Sequence, residues 1–194
     1  GIRVLPEHVA HFEGGATSAD GRALFFTDGQ NLEVANISNF NDGYAGTKFK
    51  NVTSLGVAGA HPTFPDTDFP VFRLADAYLM YAEAHLRGGG GTAATAVGYV
   101  NELLERAYGD QSANITEAQL DLTFVLGERA RELWWEGHRR TDLIRYGLFT
   151  SGDYVWSWKG GGQTGVGVAD RFNLYPLPAS ELLANPNLTQ NPGY

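Results

Sequence analysis

From Phe72 onward the chain repeats one pattern: apolar residues at helical spacing, then glycine. Leu74, Tyr78, Tyr81 or Ala82, and Leu86 recur at i, i+4 and i+8, which predicts a helix over about 72–87. Asp68 or Pro70 opens it and Gly88 ends it. Ala96, Val97, Val100, Leu103, Leu104 and Ala107 predict a second helix over about 93–108. Thr116-Glu117-Ala118-Gln119 has the form of a capping box, so a third helix starts near Thr116. Its main body covers about 122–136, with Leu122, Val125, Leu126, Ala130, Leu133 and Trp134 on one side. Gly137 is placed to take the left-handed conformation that closes a helix. A short fourth helix over 138–146 stops at Gly147.

Elsewhere the pattern changes. Residues 1–70 show little helical periodicity and carry turn signals at Asp20-Gly21, Asp28-Gly29 and Asp42-Gly43. Ala23-Leu24-Phe25-Phe26 and Leu32-Glu33-Val34 are candidate brief strands. Residues 148–172 read as a long loop with six glycines, and the tail is extended around Pro176 and Pro178 with a helical turn at 180–183. The four-glycine connector Gly88–Gly91 joins the first two helices as an antiparallel hairpin with small alanines at the contact, of the tetratricopeptide type. One hairpin cannot bury both faces, so it needs neighbours. The fold class is mainly α: tetratricopeptide-like helical hairpins decorated by long loops and small β pairings. Residues 1–65 form a loop-rich segment and 66–194 a helical region.

The chain has 194 residues, 43% hydrophobic and 12% aromatic, enough for a sizeable core. A net charge of −8 argues against nucleic acid or an anionic membrane as the main partner. The basic residues cluster around Arg129–Arg145 beside acids, which points to internal pairing. The absence of cysteine excludes disulfides, cysteine-based zinc sites and thiol catalysis. No apolar run is long enough to cross a membrane as a helix.

The densest charge lies on the third and fourth helices: Glu128, Arg129, Arg131, Glu132, Glu136, Arg139, Asp142 and Arg145. Glu128–Arg131 and Arg129–Glu132 are i,i+3 opposite-charge pairs. An enzymatic reading takes Glu132 and Glu136, roughly 6 Å apart on one helix, as the paired carboxylates of a glycosidase. Arginines within reach of both lower their pKa values, where a general acid needs one raised. The stronger reading is structural: a half-buried or buried ion-pair lattice fixing the fourth helix and the tail against the third. No catalytic residue is assigned. His138 has no second histidine at ligand spacing, and Asp66-Thr67-Asp68 lacks the glycine and distal glutamate of a calcium loop; both read as structural, and no metal or cofactor is assigned. No P-loop, dinucleotide fingerprint or serine-nucleophile elbow is present.

Tyr154-Val155-Trp156-Ser157-Trp158 alternates, so in an extended chain Tyr154, Trp156 and Trp158 share one face. Flat rings beside a glycine-rich, adaptable loop suit the C–H faces of a sugar, and the same rings suit a lid over the core. These are the candidate ligand-binding residues.

The run Leu126-Gly127-Glu128-Arg129-Ala130-Arg131-Glu132-Leu133-Trp134-Trp135-Glu136-Gly137-His138-Arg139-Arg140, continuing through Gly147, resembles the C-terminal signature of the SusD/RagB family. Leu174-Tyr175-Pro176-Leu177-Pro178, the tail Asn185–Tyr194 and the segment Asp42–Asn51 resemble it as well. The likeness covers 66–194 well and the first 65 residues more loosely. It implies a non-catalytic, surface-exposed protein of the outer membrane that binds oligosaccharide or polysaccharide and delivers it to a SusC-like TonB-dependent porin. Family members start with a lipoprotein signal and are roughly two to three times longer, so the resemblance implies a C-terminal part of one larger domain, with its lipid anchor and main glycan platform upstream. The alternatives are a helical-repeat protein-interaction module without its own sugar site and, third, a glycoside hydrolase.

Overall fold

The computed structural model describes residues 2–53 and 55–194, and the chain divides into two compact units, up to Arg139 and from Arg140 to Tyr194. In the first unit, α1 (Pro6–Val9) precedes a two-stranded antiparallel pairing of β1 (Phe25–Phe26) with β2 (Ala45–Gly46). Then come α2 (Leu74–Leu86), α3 (Ala93–Tyr108) and α4 (Leu122–Glu132). The candidate strand at Leu32–Val34 is a loop, flanked by a bridge between Asn31 and Asp42 and by the Asn36 N–H donating to Asp42 (2.9 Å).

Helices α2 and α3 fold back on each other. Tyr81 meets Thr92 and Tyr99, while Tyr78, one turn earlier, stacks on Tyr99 at 4.3 Å between ring centroids. Thr92 caps α3 by accepting the Thr95 N–H (3.1 Å), and Gly109 closes it in the left-handed conformation. Ala75, Leu79, Ala82, Ala96, Val100, Leu103 and Leu104 join Leu120, Val125 and Leu133 in the main core. The small alanines let α2 and α3 approach closely, and α4 packs against α2, adding Val125 to the same core.

Helix α4 differs from the sequence expectation at both ends. It begins at Leu122, not near Thr116, because Asp121 is its N-cap and accepts the Phe124 N–H (2.7 Å). Thr116 starts a separate 3₁₀ turn, Glu117–Gln119, in which Gln119 Oε1 accepts the Thr116 N–H (2.9 Å). Between the two, Leu120 is extended and buried, so the chain breaks there to place Leu120 in the core. The helix ends at Glu132, not Glu136. Leu133 enters the main core while Trp134 packs with Val4 and Val9. Trp135 turns the chain at φ +62° and Gly137 at φ +80°.

The second unit contains α5, which starts at the unit boundary (Arg139–Arg145), and α6 (Ala179–Ala184). Leu143 is buried, and its carbonyl accepts from Leu148 and Phe149 N–H (2.8 and 3.1 Å), so the chain after Gly147 folds back on α5. No helix of the described residues is long and apolar enough to cross a membrane.

Leu133→Ala removes a buried side chain between α4 and the α2–α3 seam and should cost about 2–5 kcal/mol, read from the urea midpoint. Gly137 has open space where a side chain would start, so Gly137→Val should destabilise through backbone strain alone. An unchanged midpoint for that variant would show that the left-handed turn is not required.

Candidate functional site

In the first unit, the charges of α4 are bound mainly by residues distant in sequence. Arg22 donates to Asp20 (2.7 Å), Glu128 and Glu132 (2.9 Å). Arg131 completes Glu128 at 2.6 Å. Arg129 pairs with Asp76 of α2 (2.8 Å), where the sequence pattern offered Glu132. Glu132 instead takes Arg22, Arg73 and Arg106 of α3, the last at 2.5 Å. Glu136 takes Arg73 (2.6 Å) and Lys48. Arg139 donates to the Leu126 carbonyl (2.9 Å). Glu128, Arg129, Arg131, Glu132 and Glu136 join partners on α2, α3 and the loop-rich segment; in the second unit Asp142 pairs with Arg145 (2.8 Å).

The C-terminal carbonyls of a helix lack internal partners and carry the negative end of its dipole. Lys48 Nζ donates to the Glu132 and Trp134 carbonyls (3.0 and 2.8 Å), and Arg73 donates to the Glu132 carbonyl (2.6 Å). Two cations thus close the end of α4. Beside them, Gly46 lies so close that a Cβ would sit 2.8 Å from the Trp135 ring and 2.9 Å from Trp134, so β2 requires glycine there.

Burial opposes the charged form of Glu132, but hydrogen bonds from Arg106, Arg73 and Arg22 outweigh it and hold the carboxyl down at about 2. Glu136 is likewise held low: burial works against it, and Arg73 and Lys48 prevail. Neither carboxyl suits a general acid, which must carry a proton near neutral pH.

His8 and His11 shift the other way. Burial, then His11, Arg139 and Lys48, push His8 down to about 3, and burial with Arg139 and Arg131 pushes His11 down to about 4. His8 packs against Trp134 at 5.1 Å and Phe12 at 5.6 Å, and His11 Nε2 faces Arg139 at 3.4 Å.

The second unit holds the predicted aromatics. Phe149, Trp156, Trp158, Phe172, Tyr175 and Tyr194 line a cleft of about 420 Å³ with Arg140, Lys159 and Val168. Tyr154 is not in the lining; it packs edge-on against Trp156 at 6.4 Å. The stretch is not extended: Trp158 has φ +69° and starts a 3₁₀ turn over Lys159–Gly161. Trp156 and Trp158 meet in the cleft through that turn and not through strand alternation.

The surrounding loop is tightly tied. Lys159 is 3% exposed. Its ammonium donates to the Ser151 and Tyr154 carbonyls (2.6 and 2.5 Å) and lies 4.7 Å over the Trp156 ring. Burial pulls its pKa below the usual lysine value. A Cβ at Gly165 would meet the Trp156 carbonyl oxygen at 2.2 Å, and one at Gly167 the Gly152 nitrogen at 2.9 Å. These glycines serve close backbone approach where the composition pointed to an adaptable loop. Arg140 stacks 4.0 Å over Tyr175 and donates to the Phe172 carbonyl (2.7 Å), while Tyr194 Oη donates to the Leu174 carbonyl (2.9 Å). The result is a set of fixed ring faces and donors able to hold a small polar ring.

Asp66 Oδ2 accepts the Ala60 N–H (2.7 Å), and no cluster of three or more potential metal ligands occurs among the described residues. Sequence reasoning did not find Asp20, Arg22, Lys48, Arg73, Asp76 or Arg106, because nothing local marks the long-range partner of a buried carboxylate.

Stability should respond to acid in two stages. Between about pH 6.5 and 4 the unfolded chain protonates His8 and His11 while the folded protein keeps them neutral, so stability falls as pH drops, by up to ~1.4 kcal/mol per pH unit for each histidine. Below about pH 4.5 the unfolded chain also protonates Glu132, which stays ionised in the fold down to about 2; that contribution is present above 4.5 and lost towards 2. Thermal melts across pH 7 to 3 check this, and His8→Phe with His11→Gln should flatten the first stage. Glu132→Gln at pH 7 should cost about 1.5–3 kcal/mol, the scale of hydrogen bonds to a charged group, because Arg22 keeps Asp20 and Glu128, Arg73 keeps Glu136, and Arg106 is half exposed.

The SusD family model matches residues 15–194. The chain is 42% identical over 182 residues to the starch-binding protein SusD of Bacteroides thetaiotaomicron, 91% of this chain and 31% of that protein. It is 36% identical over 147 residues to SusD-like protein P2 of Formosa agariphila, 72% of this chain and 28% of that one. Among solved structures, a SusD superfamily protein from Parabacteroides distasonis shares 28% identity at TM-score 0.65, over 97% of this chain and 41% of that one. A laminarin-binding SusD-like protein shares 29% identity at TM-score 0.63, over 99% of this chain and 38% of that one. The chain spans roughly a third or less of the length of the curated relatives it matches. With the match running from residue 15 to the last residue and the helical architecture shared with these structures, the chain belongs to the SusD/RagB family.

Proposed function

We propose that this protein captures oligosaccharide at the outer surface of the bacterial outer membrane, without hydrolysing it, and passes it to a SusC-like TonB-dependent transporter. The observation that carries the reading is the 42% identity, over nine-tenths of this chain, to a protein named for starch binding. A second relative is named for binding laminarin, so the general class is a glucan or a related glycan. The site chemistry agrees: the α4 carboxylates are held ionised by arginines, as suits a scaffold, and the aromatic cleft offers ring faces for sugar C–H surfaces. Attachment to the membrane is through a lipid anchor upstream of this sequence, and the transporter contact belongs to the same whole protein.

Affinity electrophoresis of the full-length protein in gels containing starch or laminarin should show retardation with at least one of them. Co-purification from detergent-solubilised membranes should bring down a TonB-dependent porin. Reducing-end assays should detect no turnover. Unretarded migration with both glycans would remove the glucan assignment, and turnover abolished by Glu132→Gln would make the protein a hydrolase.

A further inference from the structure

We infer that the cleft between the Trp156–Lys159 turn and the Phe172–Tyr175 segment is a saccharide subsite selective for a sugar bearing a carboxylate, such as a uronic acid. The inference rests on the glycan-capture reading and adds a substrate class to it.

The side chains lining the cleft are six aromatics, Val168, Leu174, Arg140 and Lys159, with Gly160 completing the wall. None is Asp, Glu, Asn or Gln. Neutral sugars are rich in hydroxyl donors, and a site for them needs acceptors of the carboxylate or amide kind. Here the polar side chains are an arginine, an ammonium already bound to two carbonyls and indole N–H groups, none of which can accept, and only the tyrosine hydroxyls accept. A ligand that satisfies such a site is rich in acceptors.

Charge points the same way. Arg140 and Lys159 line the cleft, and Arg171 lies just outside it, 5.0 Å over the Phe172 ring and 5.7 Å over Tyr194. Asp170 and Asp153 are outside the lining and accept from Thr150 Oγ1 (2.8 Å) and Ser151 Oγ (3.1 Å). In a chain of net charge −8, the cleft is a local positive site.

The two cations have different tasks. Lys159 is consumed by two carbonyls and the Trp156 face, so it supplies field and holds the turn. Arg140 is anchored through Nη2 to the Phe172 and Asn173 carbonyls (2.7 and 3.3 Å) and backed by Tyr175. Its Nε and Nη1 have no hydrogen bond among the described residues. Those two N–H directions form the edge that meets a carboxylate side-on. A pyranose lying on the indoles brings its C6 carboxylate to that edge, where the pair is shielded by aromatic walls.

The test is calorimetric titration of the full-length protein with trigalacturonate, its methyl ester and maltotriose. The ester keeps the shape and removes the charge. Trigalacturonate should bind about tenfold or more tightly than the ester, as a charge-assisted hydrogen bond predicts, and lose affinity as salt rises. Arg140→Gln should erase the difference between acid and ester, and Arg140→Lys should restore part of it by returning the charge. Trp158→Ala should weaken trigalacturonate and leave starch retardation unchanged. Equal affinity for acid and ester, no binding of either, or a preference that survives Arg140→Gln in a normally melting variant, would overturn the inference. Starch or laminarin retardation in that case would leave the glycan-capture reading standing; its absence as well would remove both.

Discussion

The first unit depends on a carboxylate that cannot be left alone. Glu132 is buried at the end of α4 and meets arginines from three separate places: Arg22 in the loop-rich segment, Arg73 at the start of α2, and Arg106 on α3. Removing a carboxylate from water costs several kcal/mol, and the cost is offset only when every partner is present in good geometry. The loop segment and the hairpin must therefore assemble around α4 together. Such a network adds little to net stability relative to a well-packed apolar core, but it penalises any arrangement in which one partner is missing. Seventy residues with almost no regular secondary structure need that kind of specification, since their backbone offers few ladders to hold them.

The same end of α4 joins electrostatics to packing. Lys48 caps its carbonyls and binds Glu136, while β2 lies against Trp134 and Trp135 through Gly46. Trp135, at φ +62°, holds a conformation that costs roughly 1–3 kcal/mol. Its ring is held between Trp134, 5.4 Å away, and the bare Cα of Gly46.

In the second unit the comparable device is Lys159. A buried ammonium tied to the Ser151 and Tyr154 carbonyls clamps the loop that presents Trp156 and Trp158, and Trp158 sits in the left-handed region. A strained residue whose ring lines a cleft fits the general association of strain with binding sites. The loop works by being held, which keeps the entropic cost of binding low.

The helices were legible because a 3.6-residue period is written locally: the α2 and α3 stripes and the Gly88 stop lie within one or two turns of what they control, whereas α2 starts at Leu74 behind Arg73 and not at Asp68 or Pro70. The α4 charges were legible as paired, and their density with the Leu174–Pro178 and Asn185–Tyr194 tail carried the family resemblance. What the local pattern could not carry was partner choice. Arg129 has Glu132 three residues away yet binds Asp76, fifty-three residues distant, because at burial the partner is set by which side chains the packed helices bring face to face. The same holds for the aromatics: alternation predicted one face for Tyr154, Trp156 and Trp158, whereas a turn closed by Lys159 places the two tryptophans in the cleft and leaves Tyr154 behind them. By itself the sequence determined the helices, the family and the sites of charge and aromatic density, all short-range or compositional properties. Tertiary structure alone decided which charges meet and which rings line a cavity, because both depend on contacts whose loop-closure cost is repaid only when the whole unit has packed.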